Sequence, residues 1–247
     1  MMSRNVKIII FDEWNEKFKN LNSSVFITGF PGFGATGYIA TRYIISKLKL
    51  NRVGVILTKY MPEYTLRDED LDVVFPYEIY TDKERRIIVL VNHTLPNEKL
   101  RTEFTETIAE WVKNRNIKLS ILIGGLDIRL KEGTETFRWL KTSKCNIELN
   151  EPKMNKGLYI IGPLALLIMM MELNRVPALV ILPYAEPLRP DPRAAAVAVK
   201  KISELIGIKI DTAELMNYAK IIEETERIRR EAEEATRKLS ASDKMYI

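Results

Sequence analysis

A group of regularly spaced glycines is the first feature of this sequence that could form a ligand-binding site. Residues 28–37 read Thr-Gly-Phe-Pro-Gly-Phe-Gly-Ala-Thr-Gly and contain the pattern G-x-G-x-x-G. In a dinucleotide site this pattern joins a strand to a helix and lets the backbone approach a pyrophosphate. One hypothesis is therefore a nucleotide- or nucleoside-binding α/β enzyme. Its crevice would be lined by Gly29, Gly32, Gly34, Gly37, Gly124 and Gly125.

The next strand does not support this hypothesis. A dinucleotide site places an acidic residue at the end of that strand, where it holds the ribose. Here residues 53–57 are followed by Thr58-Lys59-Tyr60, and no Lys-Ser/Thr pair follows the glycines as in a P-loop. The favoured alternative is a tight turn in which glycines permit close packing and positive φ. Phe30 and Phe33 would then pack locally or reach a neighbouring subunit.

Other catalytic residue types are scarce. His93 is the single histidine and Cys145 the single cysteine. The sequence therefore offers few residues that could bind a metal or form a histidine-paired nucleophile. We interpret His93 as a loop residue and Cys145 as a small packing residue in a reducing, cytoplasmic setting. Asp191 shares a predicted rim with Glu186, but its position before Pro192 favours a helix cap. We expect no catalytic residues, no metal and no cofactor.

Composition excludes two further classes of partner. The 38 basic and 33 acidic residues alternate along the chain and leave a net charge of only +5, without a basic stripe, so no nucleic acid is expected. The most apolar stretch, residues 157–171, is too short for a membrane span and predicts a buried helix. With 247 residues and 46% hydrophobic content, one compact domain with an extension is the leading expectation.

Predicted strands and helices alternate along the chain. This alternation predicts an α/β fold, a three-layer α/β/α sandwich with a mostly parallel sheet and a long C-terminal helix. The core domain is expected to span residues 1–208, with a loop-rich insertion of short strands at 126–156. Strands are predicted at 6–11, 24–30, 52–58, 73–80, 86–91, 118–123, 158–161 and 178–182, and helices at 36–48, 97–114, 164–173 and from Pro192 to 206.

The last helix is predicted within residues 209–239. A variant capping box, Asp211-Thr212-Ala213-Glu214, opens it, and alternating three- and four-residue steps give it a thin heptad seam. Both a solvated helix and helix–helix pairing in an oligomer fit this pattern. The seam is Tyr218, Ile221, Thr225, Ile228, Ala232, Ala235 and Leu239, and the predicted i,i+4 ion pairs are Glu223–Arg227, Glu226–Arg230, Glu233–Arg237 and Glu234–Lys238.

Residues 240–247 form a predicted flexible tail that ends in Met245-Tyr246-Ile247. This ending resembles the hydrophobic–tyrosine–any-residue tail of proteasome activators and assembly chaperones. Further stretches across residues 24–206 resemble the proteasome assembly chaperone family, its archaeal PbaB-type members most closely. They are the glycine turn at 29–37, Ile123-Gly124-Gly125, Gly162-Pro163, Val176-Pro177-Ala178 and Pro190-Asp191-Pro192-Arg193-Ala194-Ala195.

The resemblance implies a protein without established catalytic activity that docks on α-subunits of the proteasome core particle. Met245 would occupy the hydrophobic position, Tyr246 the tyrosine position and Ile247 the terminal position of the docking motif. It further implies a homo-oligomer, with a tetramer favoured, that acts as an assembly chaperone or as an ATP-independent activator.

Overall fold

The computed structural model describes residues 5–67 and 73–243, with side chains in the last helix through Arg229 and at Glu231 and Glu233. Two sets of elements make up the fold. The strands are β1 (Val6–Ile10), β2 (Val25–Gly29), β3 (Asn51–Thr58), β4 (Tyr77–Thr81), β5 (Ile87–Asn92), β6 (Leu119–Ile123), β7 (Leu126–Asp127), β8 (Phe137–Lys141) and β9 (Ala178–Ala185). The helices are α1 (Asp12–Asn15), α2 (Thr36–Leu48), α3 (Arg101–Asn114), α4 (Pro163–Leu173), α5 (Pro192–Ile206) and α6 (Ala213–Asp243).

One sheet carries the strands in the order β1-β3-β4-β5-β2-β6-β9-β7, and β8 also pairs with β9. The pairings β5–β2, β2–β6, β6–β9 and β9–β7 are parallel. The pairings β1–β3, β3–β4, β4–β5 and β8–β9 are antiparallel. The α/β prediction is confirmed, but the sheet is mixed rather than mostly parallel. A short turn joins β4 to β5, and such a connection permits only antiparallel pairing.

Helices cover both faces of this sheet. Alternating side chains of each strand point to opposite faces, so Phe26 enters one core and its neighbour Ile27 the other. On the first face α3 and α4 pack together, with Phe104 and Leu167 fully buried against the sheet. On the second face α2 packs against α5, and Ile44 and Val199 are fully buried. Each such side chain stabilises the fold by about 1.5–3 kcal/mol.

The predicted limits of α5 are confirmed. Asp191 Oδ1 accepts hydrogen bonds from the backbone N–H groups of Arg193 and Ala194, both at 3.1 Å, so it is the N-cap. Pro192 occupies the first turn, and Gly207 ends the helix with a φ of 68°. At α6, Asp211 Oδ1 accepts from Ala213 N at 3.1 Å, as its predicted position at the helix start requires.

The predicted strand at residues 158–161 is wrong. These residues form no strand, and Tyr159 and Ile161 are 88% and 73% exposed. An apolar run has strand propensity but needs an open sheet edge beside it. The nearby β9 already pairs with β6, β7 and β8, so no edge of that strand remains for this segment.

Candidate functional site

The glycine turn lies between β2 and α2, where it brings two backbones together. A Cβ added to Gly29 would lie 2.5 Å from Gly37 Cα and 2.8 Å from the carbonyl oxygen of Ile123. A Cβ on Gly37 would meet Gly29 Cα at 2.8 Å, so the first turn of α2 sits directly on β2 and β6. Gly34 adopts a φ of 63°, which favours glycine. These glycines allow close packing of the backbone, as the tight-turn interpretation predicted.

The predicted crevice residues do come together at the carboxyl ends of the parallel strands. A Cβ on Gly124 would lie 2.5 Å from Leu164 Cδ2, and one on Gly125 would overlap the backbone of Phe33. The carbonyl of Gly34 accepts a hydrogen bond from Asp191 N at 2.8 Å, which joins the turn to the start of α5. Gly32 differs from these, because a Cβ there would meet nothing within 4 Å.

A cleft of about 400 Å³ opens beside this turn, between the N-termini of α3 and α4. Its lining is mostly apolar, and five large apolar lining side chains are exposed, of which Tyr159 and Ile161 are the most exposed at 88% and 73%. Arg101 is the one charged lining residue that the described chain provides. Its side chain already binds the carbonyl of Pro96 and the carboxylate of Glu98. This chemistry suits apolar groups better than phosphates. The full lining is Phe30, Pro31, Gly32, Phe33, Leu95, Arg101, Ile123, Gly124, Gly125, Leu126, Leu130, Tyr159, Ile160, Ile161, Gly162, Pro163, Leu164 and Leu182.

The structure contains a buried carboxylate in β4, Glu78, that the sequence analysis did not identify. The side chain of Glu78 is fully buried, and its Oε1 accepts from Arg52 Nη1 at 2.6 Å and from Phe75 N at 3.1 Å. Its Oε2 accepts from the Tyr80 hydroxyl at 2.8 Å and lies 3.1 Å from His93 Nε2. His93 does follow a strand, as predicted, but its ring is buried on this carboxylate. The only sequence signal was a charged residue inside an apolar strand.

Electrostatics within this cluster favours the ionised carboxylate. Burial by itself would raise the pKa of Glu78, but the hydrogen bonds from His93, Phe75, Arg52 and Tyr80 together hold that pKa below its ordinary value. Burial raises the pKa of the Tyr80 hydroxyl, and the neighbouring Glu78 charge raises it further. The cluster ties β3, β4 and the end of β5 together, so its evident role is structural.

Helix α6 docks on the core through its first half. Leu215 and Ala219 are buried, and Arg189 Nε lies 3.3 Å from Glu226 Oε1. Arg193 forms an ion pair with Glu223. The predicted pair Glu223–Arg227 is therefore replaced, because Glu223 faces Arg193 and Arg227 pairs with Glu224. The Arg230 side chain of the predicted pair Glu226–Arg230 lies outside the described residues. A small polar cavity of about 80 Å³ lies at this contact.

The predicted seam faces away from the core. Tyr218, Ile221 and Ile228 are 53%, 61% and 56% exposed, and Thr225 between them is exposed as well. The side chains of Ala232, Ala235 and Leu239 lie outside the described residues, as do the predicted pairs Glu233–Arg237 and Glu234–Lys238. Four consecutive seam positions thus present an apolar row that nothing in the described chain covers.

Three remaining predictions concern metal, membrane and tail. Among the residues described, no three His, Cys, Asp or Glu side chains are grouped so that they could hold a metal ion. No described helix has both the length and the apolar character that a membrane crossing requires. The predicted docking residues Met245, Tyr246 and Ile247 lie outside the described residues.

Comparison with known proteins identifies the family. The PAC2 family model matches residues 26–231, from β2 into the second half of α6. The chain belongs to the PAC2 family. An uncharacterized protein of Methanocaldococcus jannaschii is 23% identical to this PAC2 chain over 222 residues, which are 87% of this chain and 86% of that protein.

Two solved structures share the fold of the PAC2 chain. Pyrococcus furiosus PbaA, an archaeal homolog of proteasome-assembly chaperone, matches with a TM-score of 0.77 at 24% identity, over 98% of this chain and 100% of that one. PbaB of the same organism, an archaeal proteasome activator, matches with a TM-score of 0.71 at 22% identity, over 94% of this chain and 100% of that one. At these identities the likeness shows the fold alone.

Proposed function

We propose that this PAC2 protein binds the α-subunits of the proteasome core particle, as an assembly chaperone or ATP-independent activator. The observation that carries the proposal is the combination of a PAC2 body with the ending Met245-Tyr246-Ile247. Two proteins with the same fold, a homolog of proteasome-assembly chaperone and a proteasome activator, support the same partner.

The proposed contact uses three different interactions. Met245 fills an apolar slot between two α-subunits, and Tyr246 buries its ring while its hydroxyl keeps a hydrogen bond. The carboxylate of Ile247 pairs with a lysine through a charge-assisted hydrogen bond. Helix α6 supports this arrangement, since its 31 residues extend about 46 Å. Among the described side chains, the pair of Glu226 with Arg189 is its last ion pair with the core, so residues 227–243 extend roughly 25 Å further toward the tail.

One tripeptide binds weakly after the cost of ordering it. Several identical tails on one oligomer increase the overall affinity by about 10²–10⁴ when their spacing matches the sites. The exposed seam of Tyr218, Ile221, Thr225 and Ile228 supports such an oligomer, because apolar rows of this kind pair with other helices. Oligomerisation is therefore part of the proposed mechanism.

The test removes the tail without touching the body. Deleting Met245-Tyr246-Ile247, or adding one alanine after Ile247, is expected to abolish binding to immobilised core particle in surface plasmon resonance. Tyr246→Phe should retain part of the binding, because the ring stays and only the hydroxyl bond is lost. Circular dichroism and the solution mass should match the unmodified protein. Binding that survives both changes would show that the tail is not the docking element.

A further inference from the structure

A second recess lies at the opposite end of the sheet from the glycine turn. It is a groove of about 770 Å³ at the amino ends of β2, β5, β6 and β9, bordered by the C-terminus of α5. Its volume falls within the range of sites that hold small ligands or peptide segments. We call it the amino-end groove. Nothing in the proposed docking mechanism uses it.

The charged residues that line this groove are all basic. Arg86, Lys118 and Lys144 line it, and none of the described lining residues is acidic. Arg86 is partly compensated, because its Nε lies 3.0 Å from Glu84 and 3.5 Å from Asp82. Lys118 and Lys144 are exposed and form no ion pair with the described side chains. The two lysines therefore leave an uncompensated positive field over the groove.

The floor of the groove is aliphatic. Val25, Ile147, Leu205, Ile206 and Ile208 line it and are only half-buried, although each packs against the core between the sheet and α2 and α5. A purely ionic ligand would leave these side chains in contact with water. A ligand that carries aliphatic groups beside its charges would cover them, at a gain of about 25 cal/mol per Å² of apolar area.

The end of α5 adds hydrogen-bond acceptors. Gly207 adopts φ 68° and donates its N–H to the carbonyl of Ser203, which closes the helix. The last carbonyls of a helix have no partner inside it, and no backbone N–H of the described residues outside the helix donates to those of residues 204–206. A peptide backbone supplies N–H donors for such carbonyls, whereas a fatty acid supplies only a carboxylate.

We propose that the amino-end groove binds a short, extended peptide segment of a partner protein, in which carboxylate side chains alternate with aliphatic ones. The carboxylates pair with Lys118 and Lys144, the aliphatic side chains cover the floor, and the peptide backbone donates to the end of α5. This site is separate from residues 245–247 and does not depend on the proposed function. Electrostatic complementarity of this kind selects partners by the sign of their charge.

The test measures fluorescence anisotropy with three labelled hexapeptides, made of alternating Glu and Leu, Lys and Leu, or Glu and Ser. The Glu–Leu peptide is expected to bind the full-length protein most tightly. Raising the salt from about 0.05 M to about 0.5 M should weaken this binding, because the lysines are exposed to solvent. Equal binding of the Lys–Leu or the Glu–Ser peptide would overturn the proposal.

Variants locate the binding site. Lys118→Glu combined with Lys144→Glu should weaken binding of the Glu–Leu peptide by about tenfold or more. Lys156→Glu reverses one charge at an exposed position, three residues from Tyr159 of the cleft beside the glycine turn, and should leave binding unchanged. The milder pair Lys118→Met and Lys144→Met, which keeps much of each lysine's apolar length, should give an intermediate loss. Unchanged binding in both double variants would place the peptide elsewhere.

Deleting residues 245–247 separates this site from the tail. The deletion should leave binding of the Glu–Leu peptide unchanged, whatever it does to binding of the core particle. A loss of peptide binding in this deletion would overturn the assignment of the site to the amino-end groove.

Discussion

Glu78 is a buried carboxylate whose charge must be compensated inside the protein. Its carboxylate has no access to water, and a buried charge without partners would destabilise the protein by several kcal/mol. Four donors compensate it, from Arg52, Phe75, Tyr80 and His93. Because these donors come from β3, β4 and the segments around them, the carboxylate also fixes how the antiparallel side of the sheet is assembled.

Glu78→Gln should therefore lower the free energy of unfolding by about 3 kcal/mol near pH 7, as measured by urea denaturation. The pKa of Glu78 is lower in the folded state than in the unfolded chain. Its contribution to stability is thus fully present above its ordinary pKa and is lost as the pH falls through the depressed one. The difference between wild type and variant should shrink on acidification through this window.

Glu16→Gln is the matched control. Glu16 lies on the surface, with its side chain 81% exposed, and among the described side chains it pairs with Lys19 alone. Its substitution should change stability by no more than about 0.5 kcal/mol at any pH. A Glu78→Gln variant as stable as this control would mean that the buried cluster contributes nothing to the fold.

The role of a residue could be predicted from the sequence where its partners lie close to it in the chain. Asp191 was recognised as a cap because Pro192 follows it directly and the helix begins there. Glu78 was not, since its partners Arg52 and His93 are 26 and 15 positions away and meet it only through strand pairing. A charge within an apolar strand is a signal for a buried ion pair, but it does not name the partner.

The contact between β2 and α2 depends on two glycines. Gly29 and Gly37 let a strand and a helix approach without intervening side chains. Gly29→Ala would force its new methyl group into the Gly37 backbone, and such overpacking destabilises by about 1–3 kcal/mol. We expect this loss in thermal or urea unfolding, together with a lower yield of folded protein.

Gly32→Ala is the control, because that position faces open space in the described structure. It should leave stability within about 0.5 kcal/mol of wild type. A panel of nucleotides that raised the melting temperature of wild type, but not of Gly32→Ala, would contradict the packing interpretation. It would instead revive a ligand role for the turn.

The limits of single helices were easier to predict from the sequence than the pairing of the strands. The helix at 36–48 was predicted with its observed limits, because periodicity and the preceding glycines act within the segment. The antiparallel pairings at both sides of the sheet, and the absence of a strand at 158–161, depend on which sheet edges remain open. That information is spread over the whole chain, so an apolar run such as 158–161 has no local feature that excludes a strand.

Helix α6 has two faces that differ in their contacts. Its inner face attaches to the core through Leu215, Ala219 and the ion pairs of Glu223 and Glu226. Its outer face carries the seam of Tyr218, Ile221, Thr225 and Ile228, which the core leaves exposed. Contiguous apolar patches on a protein surface often mark a contact with another molecule. The cleft rim with Tyr159 and Ile161 is a second such area.

Ile221→Glu combined with Ile228→Glu should therefore reduce the solution mass measured by multi-angle light scattering. The two charges would enter the centre of the helix pair, where an unpaired carboxylate is strongly unfavourable. Leu188→Glu is the matched control, since Leu188 is 97% exposed and lies outside the seam. It should leave the mass unchanged, and an unchanged mass in the seam variant would direct attention to the cleft rim instead.

The same variant tests how the molecule uses its tails. If several tails act together, dissociating the oligomer should weaken binding to the core particle by up to about 10²–10⁴, although residues 245–247 are intact. Binding that stays tight in a dissociated variant would show that a single tail is sufficient. Docking strength would then reside in the tripeptide alone, and the seam would serve another contact.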